Sequence, residues 1–267
     1  MNLEHITLEV NKICVETGHF IISQVEKLAN SDVVEKGVHN LVTYVDKESE
    51  RRIISALTPL VKEAGFIAEE QSDLPKGDKY NWIIDPLDGT TNYIHGIPLF
   101  SISIALMENE ELLLGVVYEI NLEECFYAWR GGGAFLNGKP IRVSKTTELN
   151  DSLIATGFPY YNYSLLDPYL ALFRDLMQTS RGIRRLGSAA VDLAYVACGR
   201  FELFYEYGLH PWDVAAGALI VKEAGGMVSD FKNGLQYIFG QQLIASNTLT
   251  HSEFTCKFQE HFKNETL

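Results

Sequence analysis

The sequence predicts a layered α+β fold in two packed subdomains that meet near residue 150. Three observations carry that prediction. Helical spacing dominates up to Leu60, strand-like alternation with a tight hairpin signal runs over residues 99–143, and helices and strands then alternate to the end.

Residues 3–28 place Ile6, Val10, Ile13, Ile21, Val25 and Leu28 on one helical stripe. A second helix is expected after Asp46, which can cap it; Ile53, Ile54, Leu57 and Leu60 follow at helical spacing. Trp82, Ile83 and Ile84 read as a short core strand. Further on, Ser101 and Ser103 alternate with Ile102 and Ile104, residues 112–118 and 125–129 are strand-like, and Asn137-Gly138 is a hairpin signal. Residues 152–156 and 201–205 read as strands, and 169–177 and 189–198 as helices. Residues 211–224 read as a helix ended by Gly225-Gly226, with strands at 227–229 and 244–246 and a last helix beyond. No Pro/Gly/Ser-rich linker divides the chain, so residues 1–150 and 151–267 are expected to form one continuous unit.

With 267 residues, 46% of them hydrophobic, the chain can bury a large core. A net charge of -13 argues against a general nucleic-acid or membrane-surface binder. Cys14, Cys125, Cys198 and Cys256 are scattered without paired spacing, which suits a reduced cytoplasmic protein. The acidic N-terminus is unlike a signal peptide, and no apolar run reaches bilayer length.

Three stretches carry candidate chemistry. After Ile83-Ile84 come Asp85-Pro86-Leu87-Asp88-Gly89-Thr90-Thr91, with Pro86 and Gly89 expected to turn the chain. This is either an ordinary turn or half of a cation site: two carboxylates at a buried strand end repel unless a cation compensates. Oxygen-only ligands suit a hard ion such as Mg2+, and amides at Gly89–Thr91, if they open a helix, would face an anion. Glu69-Glu70 follows an apolar triplet and is either a solvated strand end or one more carboxylate of that site. Asp213, two residues after Pro211, either complements a helix dipole or faces the same cleft.

Taken together, these stretches resemble the inositol monophosphatase family of Mg2+-dependent, lithium-sensitive sugar phosphatases. The resemblance rests on Leu41-Val-Thr-Tyr-Val-Asp46, Ala68-Glu69-Glu70, the block from Trp82 to Asn92, Gly187-Ser-Ala189 and His210-Pro-Trp-Asp213, and it covers nearly the whole chain. It implies an α-β-α-β-α sandwich of the sugar-phosphatase type and a homodimer. It also implies hydrolysis of a phosphate monoester, with myo-inositol monophosphate the expected substrate. By resemblance, Glu69, Asp85, the Leu87 carbonyl, Asp88 and Asp213 hold two or three Mg2+ ions. Glu69 and Thr90, with Asp46 behind Thr90, position and deprotonate the attacking water. The Gly89 and Thr90 amides hold the phosphate, Asp88 and Asp213 also meet the substrate, and Gly187, Ser188, Ala189 and Glu206 line the sugar side. Relatives acting on fructose 1,6-bisphosphate, histidinol phosphate or 3'-phosphoadenosine 5'-phosphate are the alternatives, and a non-catalytic binding protein is a further one.

Some residues depart from the pattern or stand outside it. Asn40 stands where many relatives carry aspartate, and an amide there still hydrogen-bonds. The glycines at 131–133 and residues 160–163 are expected to shape substrate choice or a dimer contact. His210 is expected to be structural rather than a Mg2+ ligand, and Arg184-Arg185 a solvated or interface pair.

Overall fold

α1 (Leu3–Gln24) begins at Asn2, whose side-chain oxygen accepts from the His5 N–H at 3.1 Å. The computed structural model describes residues 1–25, 33–37, 40–71, 73–263 and 265. Ile6, Val10, Cys14 and Ile21 are buried as the stripe requires, but Val25 caps the helix and is exposed. Leu28 and the Asn40 side chain lie outside the described residues.

α2 (Tyr44–Leu57) starts two residues before Asp46, which corrects the expected boundary. Thr43 is its cap, and Asp46 at the third helical position closes a capping box. The Asp46 carboxylate accepts from the Thr43 N–H at 2.8 Å and from its hydroxyl at 2.6 Å. β1 (Val33–Gly37) and β2 (Asn40–Thr43) form an antiparallel pair just before this helix.

The larger sheet takes seven strands in chain order: β3 (Gly65–Ala68), β4 (Tyr80–Asp88), β5 (Ser101–Glu108), β6 (Glu111–Glu119), β7 (Glu124–Trp129), β8 (Gly133–Leu136) and β9 (Lys139–Ile141). All its pairings are antiparallel except β3 with β4. Asn137 and Gly138 join the last two strands with φ of 47° and 79°, the left-handed pair that a two-residue hairpin needs. β4 leads into a single turn of helix, α3 (Thr90–Ile94).

The second sheet has five strands in the order β11-β10-β12-β14-β13. They are β10 (Leu153–Thr156), β11 (Gly182–Arg184), β12 (Leu203–Tyr207), β13 (Met227–Ser229) and β14 (Gln242–Ser246). Between them come α4 (Leu166–Thr179), α5 (Ala189–Ala197) and α6 (Pro211–Glu223), and α7 (His251–Phe262) closes the chain. β11, three residues long, carries no strand pattern that the sequence reading found, and neither do β1 and β2.

The layers follow from which faces are apolar. α1 and α2 cover one face of the large sheet, and α5 and α6 lie between its other face and the second sheet. α4 and α7 cover the far face of the second sheet through Tyr169, Leu172, Phe254 and Phe258. The result is the expected α-β-α-β-α sandwich. α6 is apolar all round because it packs on both sides, with residues 214–221 fully enclosed. For the same reason β5 is buried on both faces from Ser101 to Met107, so its serine–isoleucine alternation does not separate core from solvent. Among the described residues, no helix is long and apolar enough to cross a membrane.

Candidate active site

Asp85 pairs with Ser103 and Asp88 with Ser101, so three steps along β4 are matched by two along β5. On a regular strand, residues three apart face opposite sides. The bulge takes up the extra residue, and both acids line one cavity. Pro86, which has no N–H, fits where the ladder is interrupted. The expected turn at Asp85–Asp88 is therefore corrected: the strand runs through Asp88 and the chain turns at Gly89. Gly89 has a φ of 99°, and a Cβ there would stand 3.2 Å from the Gly187 carbonyl.

Just past this turn, the Thr90 hydroxyl lies 3.0 Å from both Asp46 Oδ1 and the Leu87 carbonyl. Asp46 is buried and sits behind Thr90, outside the cavity wall. Burial raises its carboxyl, opposed by the bonds from Thr43 and Thr90. Glu69 follows β3, and its N–H reaches the Ile84 carbonyl, which carries the parallel pairing one step further and brings Glu69 to the cavity beside Asp85.

The remaining groups come from helix starts in the second half. Asp213 stands in the first turn of α6 and accepts from the His210 N–H at 2.6 Å. Ser103 ties that helix to the large sheet, donating to the Trp212 carbonyl at 2.9 Å. Ser188 caps α5, and its hydroxyl and the Ala190 N–H both donate to Asp88 Oδ2, at 2.6 and 2.8 Å. His210 stacks on Trp212 with ring centroids 4.8 Å apart and also lines the cavity.

The cavity has a volume of about 370 Å³. It is lined by every residue that the resemblance gave to the site except Asp46: Glu69, Asp85, Leu87, Asp88, Gly89 and Thr90 from the first half, and Gly187, Ser188, Ala189, Glu206 and Asp213 from the second. Its electrostatics are those of crowded acids. Burial, then Glu69, Asp88 and Asp213, push the Asp85 carboxyl well above its usual range. Burial and then Asp88 do the same to Asp213. Burial pushes Asp88 up to about 6 against the bonds from Ser188 and Ala190. Such a set is relieved by protons or by a cation.

The donors are all oxygen, which fits a hard divalent ion by chemistry. Among the described residues, no three His, Cys, Asp or Glu side chains stand together closely enough to hold an ion by themselves. The acids instead border an open cavity, an arrangement suited to an ion that keeps water or phosphate in several of its positions.

The sequence pattern of the inositol monophosphatase family matches residues 2–263. The chain belongs to the inositol monophosphatase family.

It is 42% identical to the Nus factor SuhB of Pseudomonas aeruginosa, over 91% of this chain and 92% of that protein. It is 41% identical to the fructose-1,6-bisphosphatase/inositol-1-monophosphatase of Thermotoga maritima, over 91% of each. The crystal structure of the extragenic suppressor protein suhB from Bartonella henselae superposes with a TM-score of 0.90 at 36% identity, covering 97% of this chain and 99% of that one. The chain is accordingly a phosphatase.

Within this inositol monophosphatase relative, two charged residues on the sugar side had not been assigned to the site. Asp192 lines the cavity, is 1% exposed, and carries a buried Oδ1 with no hydrogen-bond partner. Its signal was a lone acid in the apolar run of α5. Burial, then Glu206 and Asp88, push it well above the usual carboxylate range. Arg185 also lines the cavity, with its guanidinium donating to the Tyr160 hydroxyl at 2.7 Å, so it is more than a solvated pair with Arg184. Tyr160 and Tyr161 form part of the same rim.

Proposed function

We propose that this chain hydrolyses myo-inositol monophosphate to inositol and phosphate in a Mg2+-dependent reaction, by direct attack of water. One observation carries the reading: Glu69, Asp85, Asp88 and Asp213, from both halves of the chain, border one cavity beside the Gly89–Thr90 turn. Glu69, Asp85, Asp88, Asp213 and the Leu87 carbonyl would hold two or three Mg2+ ions. When bound, Mg2+ supplies charge neutralisation for the phosphate and its leaving oxygen and makes water more acidic.

The protein's own groups do the rest. Glu69 and Thr90 position the attacking water and take its proton, with Asp46 fixing the Thr90 hydroxyl from behind. The amides of Gly89 and Thr90 face the phosphate. Asp88 and Asp213 border the substrate, and Gly187, Ser188, Ala189 and Glu206 receive the polyol. Ser188 does so through its backbone, since its hydroxyl is given to Asp88.

The name of the Thermotoga relative includes fructose 1,6-bisphosphate. That ester, histidinol phosphate and 3'-phosphoadenosine 5'-phosphate are the alternative substrates. A non-catalytic protein on this scaffold would be expected to lack one of Glu69, Asp85, Asp88, Thr90 or Asp213, and all are present. The same reading takes residues 1–150 and 151–267 as one catalytic unit, a homodimer as the assembly and the cytoplasm as the compartment. The net charge of -13 supports the absence of a nucleic-acid or membrane partner.

Phosphate release from myo-inositol monophosphate, abolished by EDTA, restored by Mg2+ and inhibited by millimolar lithium, is the expected result. Release indifferent to EDTA, or none from any sugar phosphate, contradicts the reading.

A further inference from the structure

Glu206 is on β12, is 9% exposed and lines the sugar side of the cavity. Its carboxyl lies flat against Gly157, the residue that follows β10. A Cβ built on Gly157 would stand 2.0 Å from each of Glu206 Cδ, Oε1 and Oε2. No side chain larger than hydrogen at residue 157 is compatible with the carboxyl where it stands.

We propose that Gly157 is a positioning residue that determines specificity: its missing side chain is the space that holds the Glu206 carboxyl toward the polyol. The inference rests on Glu206 meeting the polyol, as read above.

The backbone at Gly157 cannot yield in place of the carboxyl. Thr156 pairs with Tyr205 in the parallel ladder, and its hydroxyl donates to the Tyr205 carbonyl at 2.9 Å. The buried Tyr169 hydroxyl stands 2.9 Å from the Gly157 carbonyl and 2.6 Å from the Thr156 hydroxyl, and its one proton serves one of the two. What can move is the end of the Glu206 side chain, which is flexible. Gly157 is not among the residues with positive φ, so alanine fits its backbone without strain. A methyl group there would displace the carboxyl and leave the fold intact.

The test compares Gly157→Ala, Glu206→Asp, the double variant and Glu206→Gln, all loaded with Mg2+. The substrates are myo-inositol monophosphate and p-nitrophenyl phosphate, which brings no hydroxyl to Glu206. Gly157→Ala is expected to raise the KM for the inositol ester about tenfold, and that for the aryl ester less than about twofold. Glu206→Asp is shorter by one methylene and makes room for the added methyl. In the double variant it should bring the KM for the inositol ester below that of Gly157→Ala alone, a non-additive pair. Melting temperatures should stay near that of the parent protein.

If Glu206→Gln raises the KM for the inositol ester and Gly157→Ala does not, the role given to Gly157 is overturned. Equal KM changes for both substrates, or a steep fall in melting temperature, would make Gly157 merely structural. If neither variant changes the KM, the assignment of Glu206 to the polyol fails, and the proposal with it.

Discussion

Ser188 donates its hydroxyl to Asp88 Oδ2 over 2.6 Å, across a sequence separation of 100 residues. That bond, with the Ala190 N–H on the same oxygen, locks the start of α5 to the bulged end of β4. Asp88 thus belongs to a joint between the two sheets' layers as well as to the cavity.

Asp88→Asn should therefore lower turnover by at least ~10³-fold, as for the loss of one strong electrostatic stabiliser. Ser188→Ala, which leaves the Ala190 bond in place, should cost about tenfold in kcat/KM. Steady-state kinetics with saturating Mg2+ checks both; near-normal turnover in Asp88→Asn would contradict the site.

Thr90 and Asp46 separate activity from stability. Thr90→Val removes the hydroxyl that lies between Asp46 and the Leu87 carbonyl, and should cost roughly 10²-fold or more in kcat with little change in melting. Asp46→Asn should lose activity and also weaken the capping box with Thr43, by about 1 kcal/mol. Kinetics paired with thermal melts distinguishes them: Thr90→Val should not be the less stable of the two.

Asp85 should trade stability against function. Its carboxyl is held well above the usual range by burial and by Glu69, Asp88 and Asp213, so near pH 7 without Mg2+ it opposes folding. Asp85→Asn should raise the melting temperature in EDTA, shrink the stabilisation gained on adding Mg2+, and lower turnover. An unchanged Mg2+ stabilisation in this variant would show that Asp85 does not serve the ion.

Glu206 makes a pH-dependent prediction. Burial pushes its carboxyl up to about 8, well above the ordinary glutamate value of 4.5. Between those values the folded state holds a proton that the unfolded state has released. Its contribution is therefore fully present below pH 4.5 and is lost as the pH rises through 8. Glu206→Gln should melt close to the parent protein in acid and above it at alkaline pH, measured in EDTA. A constant difference across that range would contradict the assignment.

What was legible in the sequence was what local chemistry decides. Asn137-Gly138 announced its hairpin because both residues tolerate left-handed φ, and Pro211 with Gly225 marked α6 because each suits one end of a helix. The acids of the site were legible through resemblance, block by block. What stayed hidden depends on two segments at once. The bulge that brings Asp85 and Asp88 to one face is a register between β4 and β5, and neither strand contains it alone. Ser101 and Ser103 looked like strand alternation, yet Ser103 anchors α6 and Ser101 lies 3.2 Å from the Ser188 hydroxyl that caps α5. Asp192 reads as part of an apolar helix, and Gly157 carries no local signal because the Glu206 carboxyl against it comes from another strand.

We propose that this phosphatase acts on a polyol monophosphate with Mg2+ at the Asp85–Asp88–Asp213 cavity. The most direct measurement is kcat/KM, with Mg2+ and with EDTA, for myo-inositol monophosphate, fructose 1,6-bisphosphate, histidinol phosphate and 3'-phosphoadenosine 5'-phosphate in parallel. The predicted result is a clear preference for the inositol ester that vanishes in EDTA. Preference for the bisphosphate or the nucleotide, or hydrolysis that persists in EDTA, would contradict it.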